Sequence, residues 1–264
     1  MQLKELTNYL EGIAPLHYQE SYDNAGLIVG SYNQEINGVL IALDTTPAVI
    51  QEAIDIGANV VIAHHPIIFK GLKKINGKTY IEQTIIEAIK HDIAIYAIHT
   101  NLDNVYNNGV NAKISKKLGL INTAILAPKL DFDPEGGVGS GMIGELEGEM
   151  SEPEFLDYLK AKMDLKVVKH TEMLAKSVKT VAVCGGSGGF LLPNAIKLAA
   201  DVFITADYKY HEFFDANSEI MIVDIGHYES ERFTIDLLYE LITQKFSNFA
   251  IHSTKVDTNP IKYY

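Results

Sequence analysis

The chain has 264 residues, 47% of them hydrophobic and 21% charged, an ordinary globular balance with length for one large domain or two compact ones. Its formal net charge of −12 and single arginine, Arg232, argue against nucleic acid as a partner, because an acidic surface repels phosphate backbones and bidentate phosphate clamps are missing. A lone cysteine, Cys184, excludes an intramolecular disulfide and fits a reducing, cytoplasmic setting; the apolar runs are strand-sized, which excludes a membrane span.

The first residues, MQLKELTNYLEGIAP, read as an amphipathic helix and not as a signal peptide. GVLIALD (38–44) reads as a buried strand, and PAVIQEAIDIG (47–57) as a helix with Thr46 as N-cap and Pro47 in its first turn. ANVVIAHH (58–65) is a second strand, YIEQTIIEAIKHD (80–92) a helix with apolar residues three and four apart, and IAIYAIH (93–99) a third strand. This β-α-β-α-β order with continuous apolar strands predicts an α/β fold with largely parallel sheets covered by helices. Pro and Gly cluster in KLDFDPEGGVGSG (129–141), the softest boundary in the chain. Beyond it, GMIGELEG (141–148), SEPEFLDYLKAKM (151–163) and KVVKHTE (166–172) have room for a strand, a helix and a strand.

The chain resembles itself. AIDIGANVVIAHH (53–65) matches AIKLAADVFITAD (195–207), and IYAIHTNLD (95–103) matches VDIGHYESE (223–231). The offsets differ because the connecting helix is shorter in the second half. Both halves end a strand with His-x-x-x-acid, His99/Asp103 and His227/Glu231. Two similar α/β units are therefore expected, 1–125 and 126–264, with related strand ends able to face each other.

In open α/β sheets ligands collect beyond the carboxyl ends of the strands. His64, His65, His99, His211 and His227 lie at or just after such ends, as do Asp44, Asp103, Asp207 and Glu231. The sharpest pattern is Ala63-His64-His65-Pro66. Pro66 ends the strand and holds His65 extended, so both imidazoles can reach one site. The doublet reads either as a pair of metal ligands or as a packed, hydrogen-bonded pair at a sheet edge. His227 and Glu231, four apart, share a face if a helix begins near Tyr228, and such a carboxylate can bridge two cations. Asp103 is its counterpart in the first half and could equally be a helix N-cap. His99 could be a ligand, a partner that orients one, or a proton carrier; Asp44 and His211 are further proton-transfer candidates. Asp207 and His211 could line one cleft or form a surface turn. The Cys184–Gly189 run could cradle a phosphate but lacks the P-loop ending, and a tight strand-to-helix turn is the competing reading. Cys184 itself reads as an inert buried thiol.

Together these segments resemble the GTP cyclohydrolase 1 type 2 homologue family, also called the NIF-three-like family. The resemblance rests on Asp23-Asn24-Ala25-Gly26-Leu27, the Ala-Leu-Asp44 strand end, Ala63-His64-His65-Pro66, His99-Thr100-Asn101-Leu102-Asp103, Cys184-Gly185-Gly186-Ser187-Gly188, Ile204 to His211, and Gly226-His227-Tyr228-Glu229-Ser230-Glu231-Arg232, in the family's order along nearly the whole chain. It implies two similar intertwined α/β units, a toroidal homohexamer, and a dinuclear site in which His64, His65, Asp103, His227 and Glu231 hold two divalent ions of zinc, iron, manganese or nickel. It implies the short form, without the domain that longer relatives insert between the halves. Tyr22 stands where relatives often have Trp, and Ser140 where they often have Arg. The expected activity is metal-dependent hydrolysis of a small molecule, with GTP and its purine imidazole ring, opened with release of formate, as the substrate the family name suggests. A phosphoester or nucleotide hydrolase, or a non-catalytic metal-binding ring, are the alternatives.

Overall fold

The computed structural model describes all residues, 1–264. In chain order the elements are α1 (Leu3–Ile13), β1 (Gly26–Val29), β2 (Gly38–Ala42), α2 (Pro47–Ile56), β3 (Val60–Ala63), α3 (Tyr80–Lys90), β4 (Ala94–Ala97), α4 (Thr100–Asp103) and α5 (Val110–Lys117). Then follow β5 (Ile121–Pro128), β6 (Gly139–Ser151), α6 (Glu152–Met163), β7 (Lys169–His170), β8 (Ser177–Ser187), α7 (Leu192–Lys197), β9 (Val202–Ala206), β10 (Met221–Asp224), α8 (His227–Glu231), α9 (Thr234–Lys245) and β11 (Ala250–Ser253).

By internal packing the chain falls into two compact units. The first comprises Met1–Leu102 and Thr234–Lys262, the second Asp103–Phe233 with Tyr263–Tyr264. This differs from a division at 125/126, which would cut through β5, a strand paired along its length with β6. The Pro/Gly-rich stretch is the loop joining those two antiparallel strands, not a linker between domains.

In the first unit the strand order is β1-β4-β3-β2-β11. β4, β3, β2 and β11 run parallel, and β1 is antiparallel at the edge beside β4. Every residue of β2, β3 and β4 is buried, which is why these strands read as unbroken apolar runs. The helices begin where side chains can satisfy their first N–H groups: Thr46 accepts from Val49 N ahead of α2, with Pro47 in the first turn, and Thr79 accepts from Glu82 N ahead of α3. In α1, Leu3, Leu6, Thr7 and Leu10 are buried, one stripe at helical spacing.

The second unit's sheet has the order β5-β6-β8-β9-β10-β7. Its β8, β9 and β10 are parallel, but β5, β6 and β7 are each antiparallel to their neighbours. Largely parallel therefore describes the first sheet, while the second is mixed, because the linking region folds as a meander through the 13-residue β6. The internal likeness holds at the level of topology. Each unit has a parallel triplet, β2-β3-β4 or β8-β9-β10, with a short antiparallel strand beside its last member, β1 or β7. The connection corresponding to the 11-residue α3 shrinks to a 3-10 turn at Tyr210–Ala216.

Candidate metal centre

In the first unit, His64 and His65 follow β3 and His99 follows β4. The ladder runs on past the strand ends through His64 N to Ala42 O (3.2 Å), His65 N to Leu43 O (2.9 Å) and Ile98 N to Ala63 O (2.9 Å). The three rings cluster, with centroids 4.9 Å apart for His64–His65 and 5.2 Å for each pair with His99. Their ligating nitrogens lie within 4.8 Å of one another, so this group could hold a metal ion. His64 is fully buried, and the His65 and His99 side chains are 14% and 12% exposed.

Each ring is anchored through Nδ1. His64 Nδ1 donates to Ile98 O (2.9 Å), His65 Nδ1 meets Asp44 Oδ1 (2.7 Å), and His99 Nδ1 meets Asp23 Oδ1 (2.8 Å). An acceptor at Nδ1 keeps the proton there and makes Nε2 the lone-pair side of the ring, the arrangement common to metal-ligating histidines. Burial on its own would raise the Asp23 carboxyl, but the His99 ring, the Thr100 hydroxyl and the Asn24 N–H outweigh it and hold it at about 2. Thr100 N also donates to Asp23 Oδ2 (3.0 Å). Asp44 is likewise kept below the usual carboxylate range: burial opposes ionisation, and His65 and the Thr258 hydroxyl, 2.7 Å from Oδ2, overcome it. Asp23 and Asp44 are thus ionised groups that fix imidazoles.

In the second unit, α8 begins at His227 and ends at Glu231, so the two side chains share a face, and His227 Nε2 lies 2.9 Å from Glu231 Oε2. His227 Nδ1 is anchored by Asp207 Oδ2 at 2.8 Å. Glu231 is 2% exposed and lies over the end of β8. Glycine is required there. Gly186 has φ +62°, and a Cβ on it would stand 2.3 Å from Glu231 Oε1. Gly226, just before α8, has φ +89°. Ser230 Oγ accepts from Gly186 N (2.9 Å) and donates to His227 O (2.7 Å), locking α8 onto β8. Asp103 closes α4 and is not an N-cap. Its carbonyl accepts from Asn111 Nδ2 (3.1 Å), and Asn111 Oδ1 accepts from Gly185 N (2.9 Å), tying Asp103 to the same strand end. Burial, then the Asp103 and Glu231 carboxylates, push the Cys184 thiol up, which suits an inert thiol and places both negative charges near it.

Other expectations resolve differently. The glycine run from Cys184 is not a phosphate cradle: the strand continues to Ser187, and Gly185, Gly186 and Gly188 donate their N–H groups to Asn111, Ser230 and Thr205. Asp207 serves His227, whereas His211 is exposed and stacks on Phe214 with centroids 6.3 Å apart. Ser140 is buried and donates to Asn104 Oδ1 at 3.0 Å. Reading the sequence missed Asp23 and Asp207 as partners of His99 and His227, and missed Asn111 and Thr258 altogether. The available signal was chemical: a ligating imidazole needs an acceptor for its other nitrogen, and acids at neighbouring strand ends are the candidates.

These features define an α/β protein whose strand ends carry anchored histidines and carboxylates of the kind that hold metal ions. The Duf34/NIF3 (NGG1p interacting factor 3) family matches residues 1–260, and the chain belongs to it. It is 37% identical over 232 residues to a GTP cyclohydrolase 1 type 2 homolog of Clostridium perfringens, covering 88% of this chain and 87% of that one. A Campylobacter jejuni protein of the same name is 32% identical over 266 residues that take in the whole of both chains, so it shares the short form. Among solved structures, a Staphylococcus aureus hypothetical protein superposes with a TM-score of 0.91 at 29% identity, over 100% of this chain and 99% of that one. No helix is long and apolar enough to cross a membrane.

Proposed function

We propose that the protein is a cytoplasmic metal-dependent hydrolase, assembled as a homohexamer, in which His64, His65, Asp103, His227 and Glu231 hold two divalent cations. The observation that carries this reading is the set of anchored imidazoles: His64, His65, His99 and His227 each have Nδ1 engaged by a carbonyl or carboxylate, three of them by an aspartate. The donor set fits cations. Two ligands about 2.1 Å from one ion stand about 3.0 Å apart at an octahedral angle and about 3.4 Å apart at a tetrahedral one, and His227 Nε2 and Glu231 Oε2, 2.9 Å apart, lie at the short end of that span. Mixed imidazole and carboxylate donors suit zinc, iron, manganese or nickel.

Bound cations would supply Lewis-acid activation of water and of the scissile group. Asp23, Asp44 and Asp207 hold the rings in one tautomer. His99, backed by Asp23, is the residue best placed to carry a proton, since Phe69 covers one side of it at 5.6 Å between centroids and its side chain keeps 12% exposure. A nucleotide, with water added to the purine imidazole ring and formate released, is the substrate that the names of the relatives favour. The sole arginine does not serve a triphosphate: Arg232 is engaged by Asp164 Oδ2 (3.0 Å) and Met163 O (2.9 Å), so neutralising phosphate charge falls to cations and lysines.

Elemental analysis of protein purified without added metal, beside His64→Ala and Glu231→Ala, tests the binding; the parent should retain metal and both variants should lose it. Incubation with GTP tests the chemistry, formate being the expected product. A parent protein that neither retains nor takes up divalent metal overturns the proposal, and release of phosphate without formate redirects it to a phosphoester hydrolase.

A further inference from the structure

Residues 254–262, after β11, have no regular secondary structure, yet they are held at short intervals. Thr254 N donates to Ile41 O (2.8 Å). The Thr254 hydroxyl and Lys255 N (2.9 Å) donate to the Glu52 carboxylate. Val256 packs against the core of the first unit. Asp257 accepts from Asn259 N (3.0 Å) and pairs with Lys262 Nζ (2.9 Å). Between these anchors the Thr258 hydroxyl donates to Asp44 Oδ2 at 2.7 Å, while Oδ1 of the same carboxylate holds His65 Nδ1 at 2.7 Å.

Asp44 lies in a bend after β2 and its side chain is 34% exposed, so water can compete for it. A carboxylate held at one oxygen can still rotate about its χ2, a broad torsion; one held at both presents a fixed plane to the imidazole. We infer that Thr258 is a positioning residue for the metal site, fixing Asp44 so that Asp44 fixes the tautomer and direction of the His65 ring. The inference rests on the metal-binding reading of His65 given above. It assigns a purpose to the otherwise irregular segment: 254–257 and 259–262 are the mounts, and the Thr258 hydroxyl is what they mount.

The test uses the full chain with Thr258→Val, which removes the hydroxyl at nearly constant volume, and Thr258→Ser, which restores it. Zinc affinity is read by competition with a chromogenic chelator, and the His65 tautomer by nitrogen-15 NMR of the metal-free protein at one pH. Thr258→Val should populate the Nε2–H tautomer of His65 and weaken zinc about 3- to 10-fold, less than the 10- to 100-fold typical of removing a direct partner such as Asp44, and Thr258→Ser should recover both. Parent-like tautomer and affinity in Thr258→Val overturn the inference, as does a Thr258→Ser protein no better than Thr258→Val, since that would make packing the role of Thr258. If the parent chain binds neither zinc nor iron, manganese or nickel in the same competition, the proposed function fails at that point, and the tautomer of the metal-free variants still decides whether Thr258 positions His65.

Discussion

Replacing Gly186 by alanine should separate the fold from the site. The added Cβ would lie 2.3 Å from Glu231 Oε1, 3.1 Å from its Cδ and 3.3 Å from His227 Cε1. An unstrained carbon-to-oxygen approach is about 3.3 Å, so Oε1 must retreat by about 1 Å. The obstructing atom is the far end of a side chain, which can turn aside while the backbone stays. What remains is the cost of an alanine at φ +62°, about 1–2 kcal/mol. For a chain of this size that lowers the melting temperature by a few degrees. The consequence for metal is much larger. A metal–oxygen bond is about 2.0–2.2 Å long, and a ligand displaced by half that length is no longer a ligand. Calorimetric titration of metal-free Gly186→Ala with zinc should therefore show affinity reduced by at least about 100-fold, which is about 2.7 kcal/mol, while thermal melts without metal show a cooperative transition near that of the parent. Parent-like zinc affinity would refute the argument that Glu231 needs the space over Gly186.

Asp207→Asn should weaken zinc about 10- to 100-fold by loosening the His227 ring, with little change in metal-free stability because this pair is partly exposed; chelator competition and urea melts check both halves. Asp23 is held at about 2 against an ordinary 3.8, with its side chain fully enclosed. A carboxyl lowered by folding stabilises the protein above its unfolded value, and the gain fades as pH falls from about 4 through 2. Asp23→Asn should thus cost about 2 kcal/mol at pH 7 and flatten the acid limb of a urea-stability profile, whereas an unchanged acid limb would show that the His99 and Thr100 contacts do not stabilise the charge. Cys184, buried and with its thiol pushed up, should react with a thiol reagent at the rate of unfolding and no faster; prompt labelling of the native protein would contradict its placement.

Much of this was legible in the chain because it depends on local pattern. The strands around 38–44, 58–65 and 93–99 and the helices between them have the expected order, and Thr46 caps α2 as its spacing required. His64-His65-Pro66 marks a strand end because proline cannot continue the ladder, and His227 and Glu231 share a face because a helix does begin there. What escaped depends on contacts distant in sequence. Asp23 and His99 are 76 positions apart, Thr258 and Asp44 214 apart, and no periodicity connects such pairs. Asp207 has His211 four residues on but binds His227 twenty on, a partner that local spacing does not indicate. The mixed pairing of the second sheet was hidden for a related reason: β6 is buried over its first four residues, alternates between buried and half-buried over the next four and is largely exposed after that, a pattern that reports a paired strand but not the direction of its partner.

The order of chain passage through the two units bears on biosynthesis. The chain leaves the first unit at Leu102, builds nearly all of the second, and returns at Thr234 to add α9 and β11. As the polypeptide emerges from the ribosome, the first sheet must wait, one rim of β2 uncovered, while some 130 residues are translated. At about 5–20 residues per second that interval lasts on the order of ten seconds, a window in which an unfinished strand rim is open to nascent neighbours and to chaperones.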